Sequence, residues 1–121
     1  TRRLLDTLAG TGFAAVRQRV KPDNLPLFSE IIYQLRGIRR AGSAAIDLCY
    51  VAQGRFDLFW ELNLQPWDIA AGILIVREAG GRVSTLSGAS YVPGQGDIAA
   101  SNGHVHQEFL GIARCYATQQ L

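Results

Sequence analysis

Apolar and polar residues alternate most regularly over residues 56–62, which read FDLFWEL. A period of two places successive side chains on opposite faces of an extended chain, so it predicts a β-strand here. The side formed by the even-numbered residues is wholly apolar and consists of Phe56, Leu58, Trp60 and Leu62. The other side consists of Asp57, Phe59 and Glu61, so a carboxylate stands near the end of the predicted strand.

Longer segments carry apolar residues at the three- and four-residue spacing of helices. They predict helices over residues 24–36, 43–53, 66–79 and 102–119. The second helix is expected to begin at Ser43, a good N-cap residue, and to stop at Gly54. The third is expected to begin at Pro66, because proline suits the first helical position.

Short strands are predicted over residues 4–8, 38–40, 82–86 and 97–100, with loops at 10–12 and 87–96. Strands and helices then follow one another in series, an order that favours a sheet covered by helices. The pattern therefore predicts an α/β fold with a three-layer α/β/α arrangement. A length of 121 residues allows one core, so we expect a single domain over residues 1–121.

Composition and charge argue against several classes of binding partner. The net charge is only +2 and the basic residues are scattered, which argues against a nucleic acid partner. Asp68 and Arg77 interrupt the longest apolar stretch, so no membrane partner is expected. Cys49 and Cys115 are far apart and form no metal or disulfide motif, which predicts free thiols and a cytoplasmic location.

Two carboxylates fall on either side of one predicted turn. Glu61 lies at the end of a strand, and Asp68 lies in the first turn of the next helix. Ligands of α/β sheets generally bind beyond the carboxyl ends of the strands, and a helix start keeps a carboxylate ionised for a hard cation such as Mg²⁺. The alternative is that Asp68 only caps the helix and that Glu61 is a solvated surface charge.

A second strand end leads into a helix start at residues 40–45, RAGSAA. Gly42 permits a close backbone approach, and the N–H groups near Ser43 and Ala44 suit a phosphate or a sugar hydroxyl. An ordinary serine cap with small residues for tight packing is the alternative. His104 and His106 form a third candidate, a metal-binding pair, against the simpler interpretation of an exposed helix start.

The segment WDIAAGILIVREAGG, which begins at Trp67, resembles the C-terminal signature of the inositol monophosphatase family. The preceding segment RRAGSAAIDLCYVAQGRFDLFWELNLQPWD is similar to the family sequence at the family's spacing, and the resemblance extends from Gly10 to the final helix. These proteins are Mg²⁺-dependent, lithium-sensitive phosphatases related to fructose-1,6-bisphosphatase. The resemblance implies a mixed central sheet, the C-terminal domain of the family fold, and a homodimer.

The resemblance also implies roles for individual residues. Asp68 matches an aspartate that binds a metal ion close to the substrate, and Glu61 matches a glutamate that binds a substrate hydroxyl. Gly42, Ser43 and Ala44 match the helix start that contacts the inositol ring. Trp67 is expected to pack beneath the site and to fix the rotamer of Asp68.

The family's remaining metal ligands have no counterpart here. The resemblance places them in an N-terminal half that carries a Glu-Glu pair and an Asp-Pro-x-Asp motif, and neither occurs in this sequence. The chain is therefore interpreted as a C-terminal half without the N-terminal metal-binding half. We expect the full-length protein to hydrolyse inositol 1-phosphate with Mg²⁺, and this 121-residue chain to be inactive alone.

The resemblance leaves two alternatives open. A sister phosphatase would act on 3′-phosphoadenosine phosphates, fructose bisphosphate or histidinol phosphate. A non-catalytic module would use this half for dimerisation or for binding a partner.

Overall fold

The computed structural model describes residues 2–91 and 96–116. Its centre is a five-stranded sheet composed of β1 (Leu8–Thr11), β2 (Gly37–Arg39), β3 (Leu58–Leu62), β4 (Arg82–Ser84) and β5 (Asp97–Ser101). The strand order is β2-β1-β3-β5-β4. Strand β1 is parallel to both β2 and β3, whereas β5 is antiparallel to β3 and β4. The mixed central sheet is therefore confirmed.

Helices cover both faces of the sheet, which confirms the three-layer arrangement. They are α1 (Ala14–Gln18), α2 (Leu25–Ile31), α3 (Ala44–Gln53), α4 (Pro66–Glu78) and α5 (His106–Ala113). One apolar core joins α2 and α5 to the sheet, and a second core joins α3 and α4 to its other face. Among the described residues, no helix combines the length and the apolar character needed to cross a membrane.

Strand β3 separates the two cores, because all five of its side chains are buried. Trp60 lies in the α2/α5 core, with its ring centroid 5.5 Å from that of Phe109, and Phe59 lies in the α3/α4 core. The predicted alternation is confirmed within β3. The placement of Phe56 on the Trp60 side is wrong, because Phe56 precedes the strand and packs in the α3/α4 core.

Strand β1 begins later than predicted. Residues 4–6 form a 3₁₀ turn, and the strand consists of Leu8–Thr11 instead of residues 4–8. A Cβ at Gly10 would lie 2.7 Å from the ring of Phe56, so small residues are required in this part of the sheet. Gly10 of this strand therefore lies against a ring that is distant in sequence, a contact that no local pattern shows.

The predicted bounds are most accurate for the two helices that closely follow a parallel strand, α3 and α4. Ser43 caps α3 by accepting a hydrogen bond from the Ile46 N–H at 3.4 Å, and Gly54 ends it with a φ of 81°. Helix α4 begins at Pro66 as predicted. Helix α5 begins at His106, several residues after the predicted start at Asn102. The predicted end of that helix, like part of the 87–96 loop, lies outside the described residues.

Helix α2 is shorter than predicted and gives way to a 3₁₀ turn at Ile32–Gln34. Asn24 occupies its N-cap position without a capping hydrogen bond, whereas the Asp23 Oδ1 accepts from the Leu25 N–H at 3.0 Å. The Asn24 side chain is therefore available for contacts elsewhere.

The parallel arrangement of β1, β2 and β3 positions the candidate site. The carboxyl ends of parallel strands meet at one edge of a sheet. Helix α3 follows β2 and helix α4 follows β3, so both helix starts lie at that edge.

Candidate active site

A cleft of about 510 Å³ opens at the carboxyl edge of the three parallel strands. Its walls are residues 11–14 after β1, residues 40–45 between β2 and α3, and the turn between β3 and α4. All five residues singled out from the sequence line it: Gly42, Ser43, Ala44, Glu61 and Asp68. Segments separated by up to 26 positions in the sequence therefore share one cavity, as the strand-end argument predicts.

Asp68 is the third residue of α4 and takes part in a capping box with Gln65. The Gln65 N–H donates to the Asp68 Oδ2 at 3.3 Å, and the carboxylate remains exposed to the cleft. A capping role and a ligand role are therefore compatible, because one oxygen accepts the backbone bond while the other keeps its lone pairs for a ligand.

Glu61 is only 6% exposed, so the interpretation as a solvated surface charge is wrong. The Ala14 N–H, at the start of α1, donates to its Oε2 at 3.4 Å. Burial raises the pKa of the Glu61 carboxyl, and the charge of Asp68 adds to this effect. The Ala14 N–H, Arg17 and Arg40 lower that pKa and favour the anion.

Gly42 has a φ of 88°, a left-handed conformation that an L side chain rarely adopts. The turn at Gly42 brings the start of α3 against the cleft, and the Ser43 side chain caps the helix. Both interpretations of the GSA segment from the sequence thus describe the same geometry, a capped helix start that faces a cavity.

A buried hydrogen-bond network holds the ends of β1 and β3 together. The Asn24 Nδ2 donates to the Thr11 Oγ1 at 2.8 Å and to the Gly12 carbonyl at 2.9 Å. The Trp60 Nε1 donates to the Asn24 Oδ1 at 2.6 Å, and the Thr11 hydroxyl donates to the Trp60 carbonyl at 2.7 Å. This network adjoins Glu61 and fixes the floor of the cleft.

Three parts of the site were not identified from the sequence. Helix α1, which supplies Arg17 and the Ala14 N–H, was not predicted, since it has only five residues. The Asn24 network joins positions far apart in the chain, so no local pattern shows it. Asp47 also lines the cleft and is buried. Its signal was present, because it is the only charged residue of an otherwise apolar helix.

The structure contradicts the expected position of Trp67 and excludes the metal-binding alternative for His104 and His106. Trp67 does not pack beneath the site, because it lies on the wall of the cleft with 77% of its surface exposed. The two histidines do not form a pair, because His104 is exposed and His106 is buried. The ring nitrogens of His106 lie 2.7 Å from the hydroxyls of Ser84 and Ser101, and burial lowers its pKa to about 4. His106 is thus a neutral link between strands and helix.

The donor set suits part of a Mg²⁺ site. The exposed carboxylate of Asp68 is the hard oxygen ligand that Mg²⁺ prefers. Within residues 2–91 and 96–116, no three His, Cys, Asp or Glu side chains are grouped so that they could hold a metal ion. Asp68 could therefore supply one ligand to such a site, whereas the described residues contain no complete ligand group.

The sequence model described as "Inositol monophosphatase family" matches residues 7–118. A protein named inositol-1-monophosphatase from Synechocystis is 48% identical over 108 residues, which are 89% of this chain and 38% of the relative. A protein named putative Nus factor SuhB from Neisseria meningitidis serogroup B is 49% identical over 105 residues, 87% of this chain and 40% of the relative.

The fold agrees with these matches. The structure of an inositol monophosphatase from Anabaena superposes with a TM-score of 0.88 at 36% identity, covering 98% of this chain and 46% of the other. The chain thus spans less than half the length of the relatives that it matches.

Proposed function

Because the chain belongs to the inositol monophosphatase family, we propose that the full-length protein is a Mg²⁺-dependent phosphatase that hydrolyses inositol 1-phosphate to myo-inositol and phosphate. The observation that carries the proposal is the meeting of Asp68, Glu61 and the Gly42–Ala44 helix start in one cleft. A phosphorylated polyol requires three kinds of group: a carboxylate that binds the cation, an acceptor for a hydroxyl, and a helix start that contacts the polar ring.

Each residue has a distinct role in this proposal. Asp68 supplies one ligand to Mg²⁺, which when bound neutralises charge on the phosphoryl group. Glu61 accepts a hydrogen bond from a hydroxyl of the inositol, and its burial makes that bond strong. Ser43 and Ala44 contact the ring, while Arg17 and Arg40 give the cleft positive charge that favours a phosphate anion.

The direct test is phosphate release from inositol 1-phosphate by the full-length protein with Mg²⁺. We expect turnover that a chelator abolishes, and higher kcat/KM than for 3′-phosphoadenosine phosphates, fructose bisphosphate and histidinol phosphate. The 121-residue chain assayed beside it is expected to release no phosphate, because one carboxylate cannot hold the complete metal set. If kcat/KM is higher for another compound of the panel, that compound replaces inositol 1-phosphate as the proposed substrate. Turnover by the 121-residue chain would contradict the proposal that catalysis needs the N-terminal metal-binding half.

The contact between Gly12 and Glu61 gives a second prediction. A Cβ at Gly12 would lie 2.7 Å from the Glu61 Cδ, so Gly12→Ala must displace the carboxylate. We expect kcat/KM of the full-length protein to fall about tenfold or more, because a small displacement of a binding group disrupts substrate alignment. Gly111→Ala is the matched control, since a Cβ at that position would meet no described heavy atom within 4 Å apart from its chain neighbours and the backbone of its own helix. Equal activity of the two variants would remove Glu61 from the proposed site.

The SuhB relative favours a second candidate function. That relative is named a putative Nus factor, so a non-catalytic, partner-binding role is a specific alternative for this chain. Asp68→Asn separates the two, because a partner-binding role would survive loss of the metal ligand and a phosphatase role would not. A homodimer, lithium sensitivity and a cytoplasmic location stay predictions from the resemblance and from the free thiols of Cys49 and Cys115.

A further inference from the structure

Asp47 is a buried carboxyl group to which the proposed reaction assigns no role. It lies in the first turn of α3 and is 1% exposed, and it lines the cleft at its base. The backbone N–H of Ala41 favours the ionised form of the carboxyl, but the Asp47 Oδ1 has no hydrogen-bond partner among the described residues. That oxygen lies over β1, since a Cβ at Gly10 would be 3.1 Å from it.

An ionised carboxylate is costly in this position. Burial without a donor removes the hydration that stabilises the charge, whereas a protonated carboxyl loses much less. Glu61 on the adjacent strand adds like-charge repulsion, and together burial and Glu61 raise the pKa of Asp47 to about 7. The two carboxyls therefore compete for one proton near neutral pH.

The surroundings of the two groups differ, which decides where the proton resides. Glu61 receives the Ala14 N–H and is favoured as an anion by Arg17 and Arg40. Among the described residues, only the Ala41 N–H favours the anion of Asp47, and no basic side chain contributes to its ionisation. The Glu61 carboxyl therefore ionises at lower pH than the Asp47 carboxyl.

We infer that Asp47 and Glu61 carry a single negative charge near neutral pH, with the proton on Asp47, and that Asp47 thereby keeps Glu61 the anion that accepts a substrate hydroxyl. Asp47 is a positioning residue in this arrangement, because it acts through Glu61. The inference rests on the proposed function for the role of Glu61, but the shared charge is a property of the protein without substrate. Ionisation of Asp47 at higher pH would place a second negative charge beneath a site for an anionic phosphate.

Other charged groups around Asp47 are few. The charged residues that line the cleft with it are Arg17, Arg40, Glu61 and Asp68. Helix α4 packs against α3 and carries Arg77 and Glu78 near its end. Strand β5 carries Asp97 at its start, and strand β1 has no titratable side chain. These groups titrate in the wild type and in a variant at position 47 alike. Their contribution therefore cancels to first order in the difference between the two proteins.

The test uses the full-length protein with Asp47→Asn, a neutral side chain of the same shape, and with the exposed Glu78→Gln as the matched control. The first measurement is the melting temperature from about pH 4 to pH 9, without substrate. Since the unfolded chain releases the Asp47 proton near its ordinary pKa of 3.8 and the folded chain near 7, wild-type stability must fall relative to the variant as the pH rises between these values. It should stay level above about pH 8. The difference in melting temperature between the wild type and Glu78→Gln is expected not to change over this pH range.

The second measurement is KM for inositol 1-phosphate over the same range. We expect the ratio of wild-type KM to Asp47→Asn KM to rise about three- to tenfold between pH 6 and pH 9, because one charge is added near the phosphate. A flat melting difference would overturn the inference, as would a KM ratio that does not change with pH in an active enzyme. If the melting difference changes with pH as expected but the protein releases no phosphate, the shared charge would be supported and the proposed function contradicted.

Discussion

Asp68→Asn in the full-length protein is expected to lower kcat for inositol 1-phosphate by about 100-fold or more. Asparagine keeps an oxygen that can accept the Gln65 N–H, so the capping box of α4 survives the change. What is lost is the negative charge that Mg²⁺ requires from its ligand. We therefore expect a folded protein whose melting temperature is lowered only slightly, by loss of the charge at the helix start, and a half-activating Mg²⁺ concentration raised about tenfold or more.

Steady-state kinetics across a Mg²⁺ titration would measure both effects. Glu78→Gln, at the other end of the same helix, removes one carboxylate charge outside the cleft and should leave kcat unchanged. A kcat for Asp68→Asn within threefold of wild type would contradict the assignment of Asp68 as a metal ligand, and would favour the partner-binding alternative.

Asn24→Leu is expected to lower the free energy of unfolding of the full-length protein by about 3–5 kcal/mol. Leucine has a similar shape but removes three hydrogen bonds, to Thr11, Gly12 and Trp60. The Trp60 indole is fully buried, so its N–H is left without a partner and cannot reach water. Urea unfolding followed by tryptophan fluorescence would give the free energy.

A double-mutant cycle with Trp60→Phe separates the network from simple packing. Trp60→Phe removes the buried donor, so adding Asn24→Leu to it should cost about 1–2 kcal/mol less than Asn24→Leu costs in the wild type. Additive costs would show that Asn24 and Trp60 stabilise the fold independently, and that the network does not fix the strand ends.

Much of the site follows from local sequence. Ser43 and Pro66 mark helix starts by their own conformational preferences, and Glu61 ends an alternating segment. These signals are local, so they place the residues at strand ends and helix starts before any tertiary contact is known. The resemblance then connects Glu61 and Asp68 to a phosphatase, and the cleft contains both.

What local signals could not predict depends on neighbours distant in sequence. Phe56 packs in the α3/α4 core, where its ring leaves no room for a Cβ at position 10 of β1. His106 is buried by Ser84 and Ser101 on two different strands, a pairing that the sequence spacing does not show. In each case the environment of a side chain, not its type, decides its role.

By itself, the sequence determined that strands and helices alternate, where α3 and α4 begin, and that Glu61 and Asp68 lie on either side of the turn before α4. These features could be determined because capping and periodicity act over a few residues. Only the tertiary structure decided that Glu61 is buried, that Trp67 is exposed, and that Asp47 lies beneath the same cleft. Burial and charge repulsion arise only when separate segments come together, and the protonation of the site depends on both.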